Sequence, residues 1–243
     1  FFRYLKHSKK PKKYFLINKN DPHASYFAEV AKKIKGGELI FWSRDDISKM
    51  IEEIKEKQNP DWLLADFNAD NAASANALAK TLGLKEEFVW EAFENFQGLK
   101  GRLDFVQKES FAVVVDYAHT PESLRALYEN LKRSVYFKKD SRLICVLGSA
   151  GGGRDTWKRP ELGRIAADYC DEVILTDEDS YDENSAEIIK EIRAGIPEYT
   201  FPPVRVSEIP DRREAIRQAI SSARKSDLVL ITGKGSEEWI HLA

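Results

Sequence analysis

Short apolar segments rich in β-branched residues alternate along the chain with longer segments of helical periodicity. Apolar runs bounded by Gly, Pro, Asn or Asp predict buried strands, and a 3.6-residue repeat of apolar positions predicts amphipathic helices. Strands are predicted at 14–17, 38–42, 112–115, 143–147, 173–175, 204–206 and 228–231. Helices are predicted at 25–34, 46–57, 69–82, 86–96, 121–132, 158–169, 185–194 and 212–223. This alternation indicates an α/β fold with mostly parallel sheets covered on both faces.

The spacing of the predicted elements changes near residues 98–101. After this segment, strands recur at the length of a βαβ unit, about 30 residues. Before it, strands are sparse and helices dominate. We therefore expect a boundary between residues 1–100 and 101–243, and a Rossmann-like domain with a mostly parallel sheet in the second part.

Composition is that of a folded protein with a substantial core. The 243 residues are 42% hydrophobic and 32% charged, and the net charge of −2 gives no reason to expect nucleic acid or an anionic membrane as partner. No apolar run approaches the roughly 18 residues that span a bilayer, and no secretory signal is visible. Cys145 and Cys170 have no metal or redox spacing and are interpreted as two small core residues, so a cytoplasmic location is expected.

Polar residues follow the predicted strand 112–115 in the order Asp-Tyr-Ala-His-Thr-Pro. Ligands of open α/β sheets bind at the carboxyl ends of strands, so Asp116 and His119 are expected to converge on one ligand. Pro121 suits the first turn of the helix that follows. In the simpler interpretation, Asp116 or Thr120 only caps that helix.

Two glycine-containing loops follow the predicted strands 143–147 and 228–231. The first, Gly-Ser-Ala-Gly-Gly-Gly-Arg-Asp, would let the backbone and a helix N-terminus approach an anion. The second reads Thr-Gly-Lys-Gly-Ser-Glu. Each alone is also compatible with a turn that carries an exposed basic residue. The first loop is not a clean dinucleotide fingerprint, which counts against a flavodoxin-like or Rossmann oxidoreductase.

In the same order along the chain, these motifs resemble those of the Mur ligases, the ATP-dependent amide-forming enzymes of peptidoglycan synthesis. The likeness is closest to the MurE-type ligases, the UDP-N-acetylmuramoyl-tripeptide synthetases that add the third peptide residue. It is most specific from 98 to 238. The segment Phe-Asn-Ala-Asp-Asn-Ala at 67–72 resembles a helix start of the family's central ATPase domain. The resemblance implies ATP contacts from Asn71, Arg102, Asp116, Tyr117 and His119, although Arg102 alone is equally compatible with an exposed linker residue.

The resemblance also implies an amino-acid site. Arg154 would hold the carboxylate of the incoming amino acid, because a guanidinium group pairs with a carboxylate in bidentate geometry. Gly233 and Glu237 match positions that hold the α-amino end of that substrate. Ser236 replaces the usual His of this last motif.

The segment 176–183 departs from the family pattern. Diaminopimelate-adding relatives carry Asp-Asn-Pro-Arg here, and this chain has Tyr181 at the position of the Arg and Asp179 at that of the Asn. Both positions are implied to contact the added amino acid. Five acids in this segment favour a substrate with a distal cation, such as lysine or ornithine, over diaminopimelate. The alternative is a solvated acidic loop.

The implied reaction joins an amino acid to UDP-N-acetylmuramoyl-dipeptide through an acyl phosphate, with ATP and Mg²⁺ as cofactors. A monomer is expected. No G-x-x-x-x-G-K-[ST] loop occurs in the sequence, so no catalytic or metal-binding residue is assigned. Both ends look cut. We therefore expect residues 1–100 to be the end of the central ATP-binding domain and 101–243 the amino-acid-binding domain, inactive on their own. The alternative is a non-catalytic or split homologue that binds a nucleotide or an amino acid.

Overall fold

The computed structural model describes residues 2–153 and 155–241. The chain divides into two compact units, Phe1–Gln97 and Gly98–Ala243. Each unit has its own sheet and its own buried apolar residues.

The first unit is mainly helical around one pair of parallel strands. Its strands are β1 (Lys13–Asn18) and β2 (Gly37–Trp42), and its α-helices are α1 (Ala24–Lys32), α2 (Ser48–Lys57), α3 (Asp66–Thr81) and α4 (Glu86–Asn95). Short 3-10 helices lie at Phe2–His7, Arg44–Ile47 and Asp61–Leu64. Trp62 and Val89 pack with Ala69, Ala72 and Ala73 of α3, whose small side chains allow close packing.

The second unit alternates strands and helices around a six-stranded sheet. Its strands are β3 (Asp104–Gln107), β4 (Ala112–Val115), β5 (Leu143–Leu147), β6 (Glu172–Leu175), β7 (Arg205–Glu208) and β8 (Leu228–Ile231). Its helices are α5 (Pro121–Arg133), α6 (Lys158–Tyr169), α7 (Ser185–Ala194) and α8 (Arg212–Ser222). The strand order is β3-β4-β8-β5-β6-β7, and every pairing is parallel except β3 with β4. The predicted α/β fold with a mostly parallel sheet is confirmed.

The core of the second unit lies on both faces of the sheet. Strands β5, β6 and β8 are buried along their whole length, as expected of parallel strands covered on two sides. Ala215 and Ala219 of α8 pack on one face, against Ile144, Ile174 and Val229. Helices α5, α6 and α7 lie on the opposite face. The chain moves across the sheet in one direction from β4 to β5, β6 and β7, and then returns to β8. With right-handed crossovers throughout, this return places α8 on the face opposite the other three helices.

Two sequence-based expectations about this unit need correction. Strand β3 was not predicted, because only Phe105 and Val106 of its four residues are apolar, and it pairs antiparallel at the edge of the sheet. Cys145 and Cys170 are buried as predicted, but they form a disulfide rather than two separate thiols. None of the helices in the described part of the chain is long and apolar enough to cross a membrane.

Candidate functional site

The loops that follow β4, β5, β6 and β8 meet at the carboxyl edge of the second unit's sheet. The Gly233 N–H donates to the Ala118 carbonyl at 3.1 Å, which joins the loop after β8 to the loop after β4. The Gly151 N–H donates to the Asp179 carbonyl at 2.7 Å and joins the loop after β5 to the loop after β6. The polar residues predicted from strand ends are therefore brought to one edge.

Asp116 is a buried carboxylate that organises the loop after β4. Its Oδ2 accepts the Leu103 N–H at 2.7 Å, and its Oδ1 accepts the Ala118 N–H at 2.8 Å. Burial raises the pKa of Asp116, while these two N–H groups and Arg102 oppose the rise. The residue that caps α5 is Thr120, whose hydroxyl accepts the Ser123 N–H. Asp116 therefore holds Leu103 and Ala118 in place and is not the helix cap.

Arg102, Tyr117 and His119 form a stack beside this loop. The Arg102 guanidinium carbon lies 4.0 Å from the centroid of the Tyr117 ring, a cation–π contact. The rings of Tyr117 and His119 meet edge to face at 4.8 Å. His119 Nδ1 lies 3.0 Å from the Tyr117 carbonyl oxygen, which can only accept, so Nδ1 carries a hydrogen. The stack offers a cation and flat rings at one place, which suits a flat, anionic ligand.

Glu178 is buried at the meeting point of the loops after β6 and β8. Only 5% of the residue is exposed, and its Oε2 has no hydrogen-bond partner among the described residues. A Cβ at Gly233 would overlap this carboxylate. Burial raises the pKa of Glu178, while the neighbouring Arg212, Lys158 and His119 oppose the rise. Glu178 is thus a buried acid in cationic surroundings, at the position where Gly233 approaches most closely.

Asp179 and Tyr181, both predicted to contact the added amino acid, lie in the loop after β6. The Lys234 ammonium donates to Asp179 Oδ2 at 2.8 Å, with both side chains mostly buried. Burial would raise the pKa of Asp179, but the hydrogen bonds from Lys234 and from the His241 N–H lower it overall. Tyr181 has a left-handed backbone (φ 52°), and its ring stacks on His241 at 5.3 Å.

The acidic loop after β6 is not simply solvated. Asp177 accepts a hydrogen bond from the Ser185 hydroxyl at 2.7 Å, and Glu183 accepts from Arg159 at 2.9 Å. Arg159 is only 1% exposed and also binds Glu191 and the Ala150 carbonyl. It therefore ties the glycine loop to the acidic loop. Arg154, the predicted carboxylate-binding residue of the glycine loop, lies outside the described residues.

Glu237 closes the loop after β8. Its Oε2 accepts the Gly235 N–H at 2.7 Å. Burial would raise its pKa, but backbone N–H groups, Lys234 and Arg102 lower the pKa overall, so the carboxylate is favoured. Glu237 lines a cleft of about 800 Å³ with Asp177, Arg212 and Lys234. The cleft lies on the α8 side of the candidate site, and its lining excludes the Arg102–Tyr117–His119 stack.

Asn71, the predicted adenine contact, belongs to the first unit. It is exposed on α3, and its amide nitrogen donates to Asn68 Oδ1 at 3.3 Å. The motif 67–72 therefore lies on the first turns of α3, as predicted. Across residues 2–153 and 155–241, no group of three or more His, Cys, Asp or Glu side chains is placed to hold a metal ion.

Sequence reasoning missed three residues of this edge: Glu178, Arg159 and Arg212. Arg212, at the start of α8, is buried and donates to the carbonyls of Asp177 (3.2 Å) and Thr232 (2.7 Å), so it links the ends of β6 and β8. An Arg within a charged helix start carries no signal of burial. Glu178 was visible only as one member of an acidic run.

The part of the chain that forms this edge matches a known protein family. The family model described as "Mur ligase, glutamate ligase domain" matches residues 101–235. The chain belongs to the Mur ligase family. The resemblance stated from the motifs is confirmed, and the match begins at Gly101, just before the first strand of the second unit.

Named relatives within the Mur ligase family agree with this assignment. A UDP-N-acetylmuramoyl-L-alanyl-D-glutamate–2,6-diaminopimelate ligase of Thermosynechococcus vestitus is 42% identical over 180 residues, 73% of this chain and 34% of the relative. A UDP-N-acetylmuramyl-tripeptide synthetase of Treponema denticola is 36% identical over 252 residues, 93% of this chain and 46% of the relative. The chain thus spans about a third to a half of the length of these relatives.

The fold agrees with a solved Mur ligase structure. A UDP-N-acetylmuramoyl-L-alanyl-D-glutamate–2,6-diaminopimelate ligase superposes with a TM-score of 0.54 at 27% identity, covering 94% of this chain and 49% of that structure. The likeness therefore extends over both units of the chain.

Proposed function

We propose that this chain is the C-terminal part of an ATP-dependent amide ligase that adds the third amino acid to UDP-N-acetylmuramoyl-dipeptide through an acyl phosphate. The main support is the joining of the Mur ligase motifs at one sheet edge, where the Gly233 N–H binds the Ala118 carbonyl. Relatives named as tripeptide synthetases or diaminopimelate ligases favour this reaction over other amide ligations. Asn71 is proposed to contact adenine, because the segment 67–72 resembles the family's motif.

In this proposal, the loops after β5, β6 and β8 hold the free amino acid. Arg154 binds its α-carboxylate, and Glu237, kept ionised by backbone N–H groups and Lys234, binds its α-ammonium. Gly233 belongs to the same loop and lies against the buried Glu178 carboxylate, which a side chain at this position would overlap. Asp179 and Tyr181 lie at the far end of the substrate.

ATP would lie against the Arg102–Tyr117–His119 stack. A guanidinium group 4.0 Å from an aromatic ring suits an anion or a flat base, which supports this placement. Asp116 would act indirectly, because both of its oxygens accept backbone N–H groups. Mg²⁺ would accompany the ATP phosphates, because it is usually held by one or two carboxylates together with phosphate oxygens, and no residue of this chain is assigned to it.

The far end of the amino acid would carry a cation, as in lysine or ornithine. The support is narrower than the acidic sequence indicates, because Asp177, Asp179 and Glu183 already bind Ser185, Lys234 and Arg159. Asp182 is exposed and remains as an acceptor, whereas Glu178 is buried against Gly233. A second carboxylate beside this loop would meet like charge without the Arg that diaminopimelate-adding relatives carry.

The decisive assay uses the complete product of the gene that encodes this chain. We expect it to convert UDP-N-acetylmuramoyl-dipeptide, ATP and an amino acid into the tripeptide, detected by mass spectrometry, with a G-K-[ST] loop upstream of Phe1 in the reading frame. If the complete protein binds a nucleotide or an amino acid but forms no amide, the result would support the alternative, a non-catalytic binding module.

A further inference from the structure

The amino edge of the second unit's sheet lies opposite the candidate site and has a different surface. Along this edge, the loops before β4, β8, β5, β6 and β7 follow one another in the order of the sheet. The Ser226 N–H donates to the Ser110 carbonyl, and the Ser141 hydroxyl donates to the Ser226 carbonyl. These bonds hold the first three loops side by side, so their exposed side chains form one surface.

Basic side chains dominate the exposed part of these loops. Lys138 and Lys139 precede β5, Arg224 and Lys225 precede β8, and all four are exposed. The nearby Asp227 is buried, and its Oδ2 lies 2.5 Å from Nη2 of Arg142. The charge of Asp227 is therefore already compensated. The exposed acids along this edge are Glu109, Asp140 and, in the loop before β7, Glu198. The local charge is therefore positive, although the net charge of the chain is −2.

Apolar side chains project from the same edge. Phe201 is 102% exposed and Val135 is 66% exposed, and Pro202 and Pro203 continue the apolar tip. Lys132, at the end of α5, lines a cavity of about 360 Å³ together with Phe201 and both prolines. The apolar loop before β7 therefore adjoins the end of α5, where Lys132 is exposed, and Asp168 and Asp171 line the same cavity. Phe201, Pro202 and Pro203 are consecutive and exposed, and a contiguous apolar surface of this kind can mark an interaction site.

We propose that this surface, which we call the amino-edge patch (Val135, Lys138, Lys139, Phe201, Arg224 and Lys225), docks the protein on an anionic lipid bilayer. Each basic side chain near an anionic leaflet adds to the attraction, and apolar tips gain by entering the headgroup region. The Phe201 ring could contact a base or a bilayer, but Val135 and the prolines have no π face and gain only from leaving water, which favours the bilayer. The carboxyl edge, with the candidate site, stays in water. This inference does not depend on the proposed function.

The test is sedimentation of the 243-residue chain with vesicles of phosphatidylcholine and phosphatidylglycerol, compared with phosphatidylcholine alone. We expect binding to the mixed vesicles only, weakened by salt. Lys138→Glu with Lys139→Glu should weaken vesicle binding roughly tenfold or more, since two charges near the surface are reversed. Phe201→Ser should weaken binding even at low salt. All three side chains are exposed, so folding should be unaffected, as circular dichroism would verify.

The matched control is Lys9→Glu with Lys10→Glu, which makes the same charge change in the exposed basic segment of the first unit. It should leave vesicle binding within about twofold of the unmodified chain. Equal binding to both vesicle types, or no binding to either, would overturn the proposal. So would loss of binding in the control with retention in the Lys138/Lys139 variant. Competition by duplex DNA for the same patch at lower concentration than the vesicles would assign it to nucleic acid instead.

Discussion

The carboxylate of Glu178 lies against the Cα atom of Gly233, so that any side chain at position 233 would overlap Oε2. Gly233 also has φ of +89°, a left-handed conformation that side chains disfavour. Both the left-handed backbone and the position of the Glu178 carboxylate therefore favour glycine where the loops after β6 and β8 meet. The contact places a buried acid directly beside the backbone of the loop that carries Lys234 and Glu237.

Replacement of Gly233 by Ala should destabilise the second unit. We expect a loss of about 1–3 kcal/mol in the free energy of unfolding, from overlap with Glu178 and from backbone strain. Denaturant titration measures the loss. Gly153→Ala is the control, since Gly153 has φ of +68° but open space around its Cβ position. Gly153→Ala should show only the part of the stability loss that comes from backbone strain. A loss at Gly233 no larger than at Gly153 would show that the overlap is relieved at no cost.

Glu178→Gln should change stability in a pH-dependent way. Burial raises the folded-state pKa of Glu178 above the ordinary 4.5, so folding favours the protonated form. The favourable contribution of the wild-type carboxyl is complete below 4.5 and is lost as pH rises through the raised folded pKa. Gln resembles the neutral acid at every pH.

Thermal melts should therefore give a higher midpoint temperature for Glu178→Gln than for the unmodified chain at neutral pH. The difference between the two midpoints should shrink towards about pH 4. Glu198→Gln, at an exposed position, serves as the control and should shift the midpoint little at any pH. A neutral-pH midpoint for Glu178→Gln below that of the unmodified chain would mean that the ionised carboxylate is stabilised in the fold.

Lys234→Met should destabilise the second unit by about 3 kcal/mol, because it leaves the mostly buried Asp179 without its counter-charge. Combining it with Asp179→Asn should recover most of that loss, which a double-mutant cycle measures. Lys190→Met, in the exposed pair Lys190–Glu187, should have almost no effect. Additive losses in the double variant would show that the 2.8 Å ion pair contributes nothing to stability.

The alternation of strands and helices could be predicted because burial of parallel strands leaves continuous apolar runs. Leu143–Leu147 and Leu228–Ile231 were placed without error, since both are buried throughout. Strand β3 was not, because an edge strand is held by backbone pairing with β4 rather than by apolar side chains. The pairing of Cys145 with Cys170 was also missed, because it depends on the approach of β5 to the end of α6.

The candidate site was predictable where its residues occupy strand ends. Asp116, Asp179 and Gly233 all reach the carboxyl edge, as the motif positions indicate. Which partners these side chains bind could not be predicted, because the partners come from other loops. Asp116 binds the backbone of Leu103, and Asp179 binds Lys234, 55 residues away.

The 243-residue chain alone should release no phosphate from ATP. Its sequence has no G-x-x-x-x-G-K-[ST] loop, so the γ-phosphate charge would lack the clamp that lowers the barrier to transfer by several kcal/mol. The measurement is phosphate release by the purified chain with Mg²⁺ and candidate amino acids. Release that disappears on Asp116→Ala would contradict the expectation, because contaminating activity would be insensitive to that change.

The complete gene product should prefer lysine or ornithine to diaminopimelate, because Tyr181 stands where diaminopimelate-adding relatives carry Arg. Tyr181→Arg should shift the preference towards diaminopimelate, by roughly tenfold in the ratio of kcat/KM values, if the new guanidinium reaches the distal carboxylate. Competition assays with the three amino acids measure this ratio. Preference for diaminopimelate by the unmodified protein would refute the argument from the acidic loop.

The central claim is that the carboxyl edge of the second unit holds the incoming amino acid, and the effect of Glu237→Gln on the two Michaelis constants tests it most directly. In the complete gene product, loss of the carboxylate should raise KM for the amino acid roughly tenfold or more, as expected for a lost charge-assisted hydrogen bond. KM for ATP should change less than about twofold. An unchanged KM for the amino acid with a raised KM for ATP would contradict the claim.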